Sequence, residues 1–546
     1  MTDKTLTVTK KQKFTSLLQS ILYFALASII GTKTQLAQAM ISEKPNIIII
    51  MADDMGWSDI GCYGGEIQTP NIDRLATEGL RLTQFYNNAK CTTTRASLMT
   101  GLYPRNGGRG IRLLNDKMVT ISEILKEAGY QTALSGKWHL GSKKPNRPID
   151  RGFDEYYGLM DGCCSYFNPI RRDPDFKGGR IRAFGHNNRI IEKPFPENYY
   201  ATDAFTDHAI KTIRRFSDNQ TPFFLNISYT APHYPLHAKS EDIAKYKGKY
   251  LGGWDQLRQD RHRRLIKAGL VDPNWQIWKH DPKAYAWNKT NPVWEDLRMA
   301  TYAGMIDSMD QNIGRILQTL EELDIIHNTL IMFLSDNGGC AEEPGGRDMS
   351  QVPGLPETYT AVGPSWGWAQ NTPFRRYKAR MYEGGIATPF IAYWPDMIKA
   401  NTMTNQVGHI IDLLPTFLDI VDKSYPKTRN GISILPVEGL SLLPIFQGKQ
   451  RAGDQTLYWH FSNNHAVRQA KWKLVWDKSF KQWELYDLIA DRTESHNLAA
   501  SYPDRVKQMQ MLYQTWAILT DVETLVLKGQ GENPIEIFPF QFIRVL

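Results

Sequence analysis

Apolar, β-branched runs that stop abruptly at small polar residues recur along this chain and organise the rest of it. Asn46-Ile47-Ile48-Ile49-Ile50-Met51-Ala52 runs into Asp53-Asp54, and Thr329-Leu330-Ile331-Met332-Phe333-Leu334-Ser335 runs into Asp336-Asn337-Gly338-Gly339. Runs of this length without polar alternation predict strands buried on both faces. A shorter strand starting at Gln131 is followed by Lys137-Trp138-His139, with Lys137 and His139 expected on the same side of an extended chain. Residues 223–229 form another strand, broken at Pro232 and followed by His233. Lys378 lies upstream of Glu383-Gly384-Gly385, a glycine turn that feeds a strand through Ile391. In open α/β sheets ligands gather beyond the carboxyl ends of the strands, so these polar ends can meet in one place.

Towards the C-terminus the texture changes at a polar, glycine-containing linker, Gly448 to Gln455. Beyond it come short strand-like pieces around His465–Arg468, Trp472–Trp476 and Glu484–Leu488, then a helical run from Pro503 to Leu519. The 546 residues, 42% of them hydrophobic, suit one large α/β domain with a smaller appendage. At the other end, Lys10, Lys11 and Lys13 precede an apolar run from Ser16 to Ile30, and Ala37-Gln38-Ala39 supplies small residues at signal-peptidase spacing. The expected organisation is a signal peptide over 1–39, a catalytic domain over 40–447 and a C-terminal subdomain with tail over 448–546. Export to a periplasm or the medium follows, with no membrane association after cleavage.

The net charge of +8 mildly favours anionic substrates, and nothing resembles a nucleic-acid-binding arm. Five cysteines are few for an exported protein, and adjacent Cys163 and Cys164 cannot pair without a strained ring. No disulfide framework is expected.

Asp53, Asp54, Asp336 and Asn337 form a hard, oxygen-only donor set. A single Asp at a strand end more often caps a following helix, but carboxylates gathered from two strand ends repel unless a cation joins them. Oxygen donors favour Ca²⁺ or Mg²⁺ over zinc. Lys137, His139, His233 and Lys378 would then form a positive rim. Cys91, at the mouth of a short helix with Arg95 four residues on, is the remaining distinctive feature.

The segment Cys91-Thr92-Thr93-Thr94-Arg95-Ala96-Ser97-Leu98-Met99-Thr100-Gly101 resembles the signature of the type I sulfatases, within the alkaline phosphatase superfamily. Gly136-Lys137-Trp138-His139-Leu140-Gly141, Ala231-Pro232-His233, Ser335-Asp336-Asn337-Gly338-Gly339 and Lys378 with Glu383-Gly384-Gly385 match the family's motifs in its order. The resemblance covers the chain from about Lys44 to about Leu498 and is strongest to the arylsulfatase branch. It implies an α/β fold with a large mixed, mostly parallel sheet flanked by helices, and a smaller C-terminal domain of antiparallel strands and a helix. It also implies that Cys91 is oxidised to formylglycine by a formylglycine-generating enzyme. Asp53, Asp54, Asp336, Asn337 and the modified Cys91 would hold Ca²⁺ rather than Mg²⁺. Lys137, His233 and Lys378 would bind sulfate, Arg95 would orient the nucleophile, and Asp336 would take its proton. His233 with Lys378 would protonate the leaving oxygen, and His139 would act as base in releasing sulfate.

One departure stands out: the family most often carries Pro or Ala where this chain has Thr93. The implied reaction is hydrolysis of an aryl or carbohydrate sulfate ester. The alternatives are a phosphonate or phosphodiester hydrolase, or a non-catalytic protein that binds sulfated glycans. Trp254, Trp275, Trp278, Trp287, Trp294, Trp366 and Trp368 supply aromatic faces for a sugar or aryl ring, each competing with a place in the core. The tail over 535–546 matches nothing in the family, and oligomeric state is not legible.

Overall fold

Ten strands make the central sheet: β1 Asn46–Ala52, β2 Leu80–Tyr86, β3 Gln131–Gly136, β4 Glu155–Leu159, β5 Phe184–His186, β6 Arg189–Ile190, β7 Phe223–Ser228, β8 Thr329–Ser335, β9 Ala387–Tyr393 and β10 Thr402–His409. Their order is β10-β2-β9-β8-β1-β7-β3-β4-β5-β6. This computed structural model describes residues 44–104, 114–453 and 455–520. The expected signal peptide and the 535–546 tail lie outside the described residues. From Asn46 onward the described residues form one compact unit.

The core of the sheet is parallel: β8, β1, β7, β3 and β4 run the same way. β1 lies at its centre, and its alternate residues feed two different cores. Ile48, Ile50 and Ala52 pack into one apolar cluster and Ile47, Ile49 and Met51 into the other. Both faces of the strand are thereby dry, which is why its sequence is unbroken apolar rather than alternating. The long Pro292–Glu322 helix covers one face, capped by the Asn291 side chain at the N–H groups of Val293 and Trp294.

β9 is the exception that matters, because it pairs antiparallel with both β8 and β2. Its amino end therefore lies at the edge where the parallel strands finish. The segment ahead of it, from Lys378 to Glu383, is delivered to that edge, although it precedes its strand instead of following it. Glu383-Gly384-Gly385-Ile386 is a single helical turn rather than an open glycine turn. A side chain at Gly384 would lie 2.3 Å from the Arg376 carbonyl, so this turn packs on the preceding loop only without one.

A two-residue ladder, β11 Thr428–Arg429 with β12 Ile432–Ser433, precedes a separate antiparallel sheet. That sheet runs in the order β13 Leu457–Phe461, β14 Asn464–Gln469, β15 Trp472–Asp477 and β16 Gln482–Asp487. β13 is a strand the sequence reading did not mark. The Pro503–Leu519 helix follows with the expected bounds. The small sheet is joined to the large one by buried charge: Lys473 Nζ bonds Glu383 at 2.8 Å and Glu494 at 2.8 Å, and Arg492 Nε donates to Glu383 at 2.8 Å. The linker is pinned as well, through Arg451 to Asp412 at 2.7 Å.

The aromatic faces proposed for sugar stacking are largely spent on packing. Trp254, Trp366 and Trp368 are buried in the core, and Trp254 and Trp287 meet edge to face. The Trp275 and Trp294 indole N–H groups donate to backbone carbonyls of Ile489 and Gln351. Burying large aromatic area outweighs leaving it exposed to a ligand. The five cysteines are unpaired, four of them buried. Among the described residues no helix is long and apolar enough to cross a membrane.

Candidate active site

Cys91 is the first residue of the Cys91–Thr100 helix and is buried. Extended backbone at Lys90 leads into it, and Ala89 just before takes a positive φ of 58°. The Thr93 hydroxyl donates to the Lys90 carbonyl at 2.8 Å and the Asn88 carbonyl at 3.0 Å, while the Thr94 hydroxyl accepts from the Asn88 N–H at 3.0 Å. The Thr93 departure thus has a local use: its hydroxyl ties the helix start to the turn that presents Cys91. The helix stops at Gly101, whose φ of 64° suits glycine and whose N–H caps Ser97.

One helical turn after Cys91, Arg95 crosses to the sheet edge. Its Nε and Nη2 donate to Asp336 Oδ2 at 3.1 and 2.8 Å, and its Nη1 to the Lys137 carbonyl at 2.8 Å. One side chain therefore ties together the nucleophile helix, the end of β8 and the end of β3. The β1 end supplies the other carboxylates. Lys137 Nζ pairs with Asp53 Oδ2 at 2.5 Å, and Lys378 Nζ with Asp54 Oδ2 at 2.7 Å. Asn337 Nδ2 donates to Asp54 Oδ1 at 2.7 Å, and the Asp54 N–H to Asp336 Oδ1 at 3.2 Å. Asp54 adopts a φ of 67°, a costly conformation for a non-glycine residue and of the kind that clusters at functional sites.

The histidines enter from two further strands. His233 follows β7; its Nδ1 donates to the Tyr234 carbonyl at 2.6 Å, leaving Nε2 facing Asp54 Oδ2 at 3.4 Å. His139 follows β3, but not on an extended chain. The strand stops at Gly136, and His139 has a φ of 61°, so a turn and not strand alternation brings it beside Lys137. Its ring occupies space that Gly162 leaves open, since a Cβ there would lie 2.9 Å from His139 Cε1.

The electrostatics follow from burial. Asp53 is pushed well above the usual carboxylate range by desolvation, with Asp336 adding to it and Lys137 opposing. Burial also raises Asp54, but Lys378 and His233 outweigh it and hold that carboxyl well below the usual range. Burial lowers the His139 imidazole, and the charges of Lys137 and Arg95 lower it further. The Cys91 position lies within electrostatic reach of Arg95, Lys137 and Lys378.

These residues fit a cation. Asp53 Oδ1 and Asn337 Oδ1 are buried and accept no hydrogen bond among the described residues, a costly condition that a metal ion would relieve. Asp53, Asp54 and His233 each offer a ligand atom within 4.8 Å of the others. His233 Nε2 is therefore near enough to the oxygen donors to share their site.

All ten residues singled out from the sequence meet at this edge. The sequence reading missed the supports around them: Gly162, which makes room for His139, and Glu342, which binds Lys90 at 3.0 Å and accepts from the Tyr234 hydroxyl at 2.5 Å. Neither sits at a strand end, and no local pattern marks them.

Known proteins bear on this arrangement. A family model described as Sulfatase matches residues 45–423, and one described as N-sulphoglucosamine sulphohydrolase, C-terminal, matches residues 374–518. An uncharacterised sulfatase of Schizosaccharomyces pombe is 31% identical over 541 residues, spanning 90% of this chain and 97% of that protein. An arylsulfatase of Klebsiella aerogenes is 31% identical over 450 residues, spanning 76% of this chain and 95% of its own. The crystal structure of Ps i-CgsB in complex with k-i-k-neocarrahexaose superposes with a TM-score of 0.65 at 26% identity, covering 88% of this chain and 94% of that one.

Proposed function

Because this chain belongs to the sulfatase family and is an arylsulfatase-like hydrolase of sulfate esters, we propose that it acts on sulfated carbohydrates with a formylglycine at position 91 and a bound Ca²⁺. The observation that carries the reading is the convergence of Cys91 with Arg95, Lys137 and Lys378 on the carboxylates of Asp53, Asp54 and Asp336. Ps i-CgsB, similar over nearly the whole length, is known with neocarrahexaose, which supports a glycan substrate.

Asp53, Asp54, Asp336 and Asn337 would hold the cation, leaving His233 Nε2 for proton transfer. When bound, cation and formylglycine supply Lewis-acid charge and an oxygen nucleophile. The protein's own residues do the remainder. Lys137 and Lys378 hold sulfate oxygens, since sulfuryl transfer builds charge that positioned cations stabilise. Arg95 fixes Asp336, whose carboxylate accepts the proton of the attacking hydroxyl. Lys378 Nζ carries the proton for the leaving alcohol oxygen, and His233 Nε2, unprotonated while its Nδ1–H is held by the Tyr234 carbonyl, lies beside the same Asp54 carboxylate to relay it. His139, held neutral by burial and with its Nδ1 bonded to nothing among the described residues, accepts a proton as sulfate departs. The amino end of the Cys91–Thr100 helix adds a favourable dipole for an anion.

Two measurements on protein from its own host test this reading: sulfate release from an aryl sulfate and the mass of the Cys91 peptide. Release, with the peptide about 18 Da lighter as a thiol-to-aldehyde change requires, is the expected result. An unmodified thiol in an active enzyme would remove the formylglycine assignment. Faster turnover of an aryl phosphonate ester than of the sulfate would favour the phosphonate hydrolase reading. We also propose export through the N-terminal segment, which a periplasmic or culture-medium location of the active protein would test.

A further inference from the structure

A cavity of about 280 Å³ is lined in part by Lys378. Its size is near the lower end of the ~300–1,000 Å³ of ordinary ligand pockets. Four parts of the chain wall it: Lys283 from the insertion after β7, Ala341 and Glu342 after β8, the stretch from Tyr377 to Arg380, and the β13–β14 and β15–β16 turns with Phe461 and Lys478. The walls are strongly basic. Lys378 and Arg380 have acidic partners, Asp54 at 2.7 Å and Asp477 at 3.3 Å. Lys283 and Lys478 do not. Both are exposed, Lys478 Nζ bonds only the Ser462 hydroxyl at 3.1 Å, and neither has a carboxylate within ion-pair distance among the described residues. The one acid on the wall, Glu342, is already committed to Lys90 and Tyr234. Tyr377 is buried, and its hydroxyl makes no hydrogen bond of normal geometry.

A pocket made only to admit an uncharged alcohol portion has no use for two ammonium groups on its wall without a carboxylate partner. An aryl monosulfate, whose only charge is consumed at Lys137 and Lys378, would leave them unanswered. We propose that this cavity is a second-anion subsite: Lys283 and Lys478 bind an anionic substituent, sulfate or carboxylate, on the glycan that carries the scissile ester. Tyr377 and Phe461 meet the sugar between the two charges. The substrate is therefore a polyanionic glycan bearing at least two acidic groups. This inference rests on the sulfatase reading above and names its substrate class.

The test compares the wild-type enzyme with K283A/K478A, two exposed positions that carry no packing. Four substrates are used: 4-nitrophenyl sulfate, a monosulfated disaccharide, a disulfated disaccharide, and one carrying a sulfate and a carboxylate. Wild type is expected to prefer a dianionic disaccharide. The double variant is expected to lose about tenfold in kcat/KM on that substrate, mainly through KM, and less than about twofold on the two monosulfates, as for two partly exposed ion pairs. The difference shrinks with added salt. Whichever dianionic disaccharide shows the loss identifies the anion. Equal losses on all four substrates, no loss on any, or no wild-type preference for two charges would overturn the subsite. If wild type releases sulfate from none of them, the sulfatase reading is what fails. Calorimetric binding of the two dianionic disaccharides then judges the subsite: weaker binding by the variant supports it and equal binding overturns it.

Discussion

Two of the buried ionic clusters differ in use, one at the strand ends and one where the small sheet meets the large one. Asp53, Asp54 and Asp336 face Lys137, Lys378 and Arg95 in the first. In the second, Glu383 and Glu494 face Lys473 and Arg492, with the Tyr86 hydroxyl also donating to Glu383 at 2.9 Å. Burial and charge balance are alike in both. The difference is in what is left over. At the strand ends two buried oxygens accept no hydrogen bond and Lys378 lines an open cavity. At the joint Glu494 Oε1 and Arg492 Nη2 also make no hydrogen bond of normal geometry, but Glu494 Oε1 is ion-paired with Lys473 Nζ at 2.8 Å and none of these residues lines that cavity. Complementary buried charge therefore does not by itself mark a catalytic centre; donor atoms in reserve and a path to them do.

Substitutions should separate the two clusters sharply. Cys91→Ser is expected to lower kcat on an aryl sulfate by at least ~10³-fold, as loss of a nucleophile does, with the unfolding temperature unmoved. A parallel fall in both would mean the strand-end cluster also supports the fold. Glu383→Gln reverses the pattern. It leaves Lys473 and Arg492 short of a buried counter-charge, which costs about 3–5 kcal/mol. Denaturant titration should show that loss while kcat per folded molecule stays within a few fold. A large drop in kcat without destabilisation would place Glu383 in the chemistry.

Metal removal acts on one cluster only. Dialysis against a chelator should lower turnover by about a hundredfold, the scale of a lost Lewis acid, with recovery on adding Ca²⁺ and no response at the joint. A finer probe is His237, which lies outside both. Its Nε2–H donates to the Thr358 carbonyl at 2.8 Å and its Nδ1 accepts from the Tyr166 N–H at 3.3 Å, so both nitrogens are used by the neutral ring. Burial pushes this imidazole down to about 4. The unfolded chain binds the proton first, so the stability His237 gives is complete above about pH 6.5 and is lost as pH falls towards 4, by up to about 1.4 kcal/mol per pH unit. Stability measured across that window should fall less steeply in His237→Gln, and an unchanged slope would refute the assignment.

Much of this was legible in the chain. β1 and β8 were readable because a strand buried on both faces must be apolar at every position, and Asp53, Asp54, Asp336 and Asn337 follow directly. Lys137 and His139 were readable as site residues, but their arrangement was not, because it depends on a left-handed backbone at His139. The tryptophans stayed open between core and ligand, since composition does not say whether an aromatic face meets solvent or another ring. β13 went unmarked because its five residues, Leu457–Phe461, mix apolar and polar types without a clear period.

What the sequence determined by itself is the chemistry available: which strand ends carry acids, which turns carry bases, and that a cysteine opens a helix near an arginine. Those features are local, set by a few adjacent residues and the period of the backbone. What the tertiary structure decided is which of them share a space. The antiparallel setting of β9 carries Lys378 to the parallel strands' carboxyl edge. The folding back of the small sheet sets Lys478 near Lys283, 195 positions away by number. Long-range pairing and the closing of a cavity depend on the whole packed core, and no short stretch of sequence encodes them.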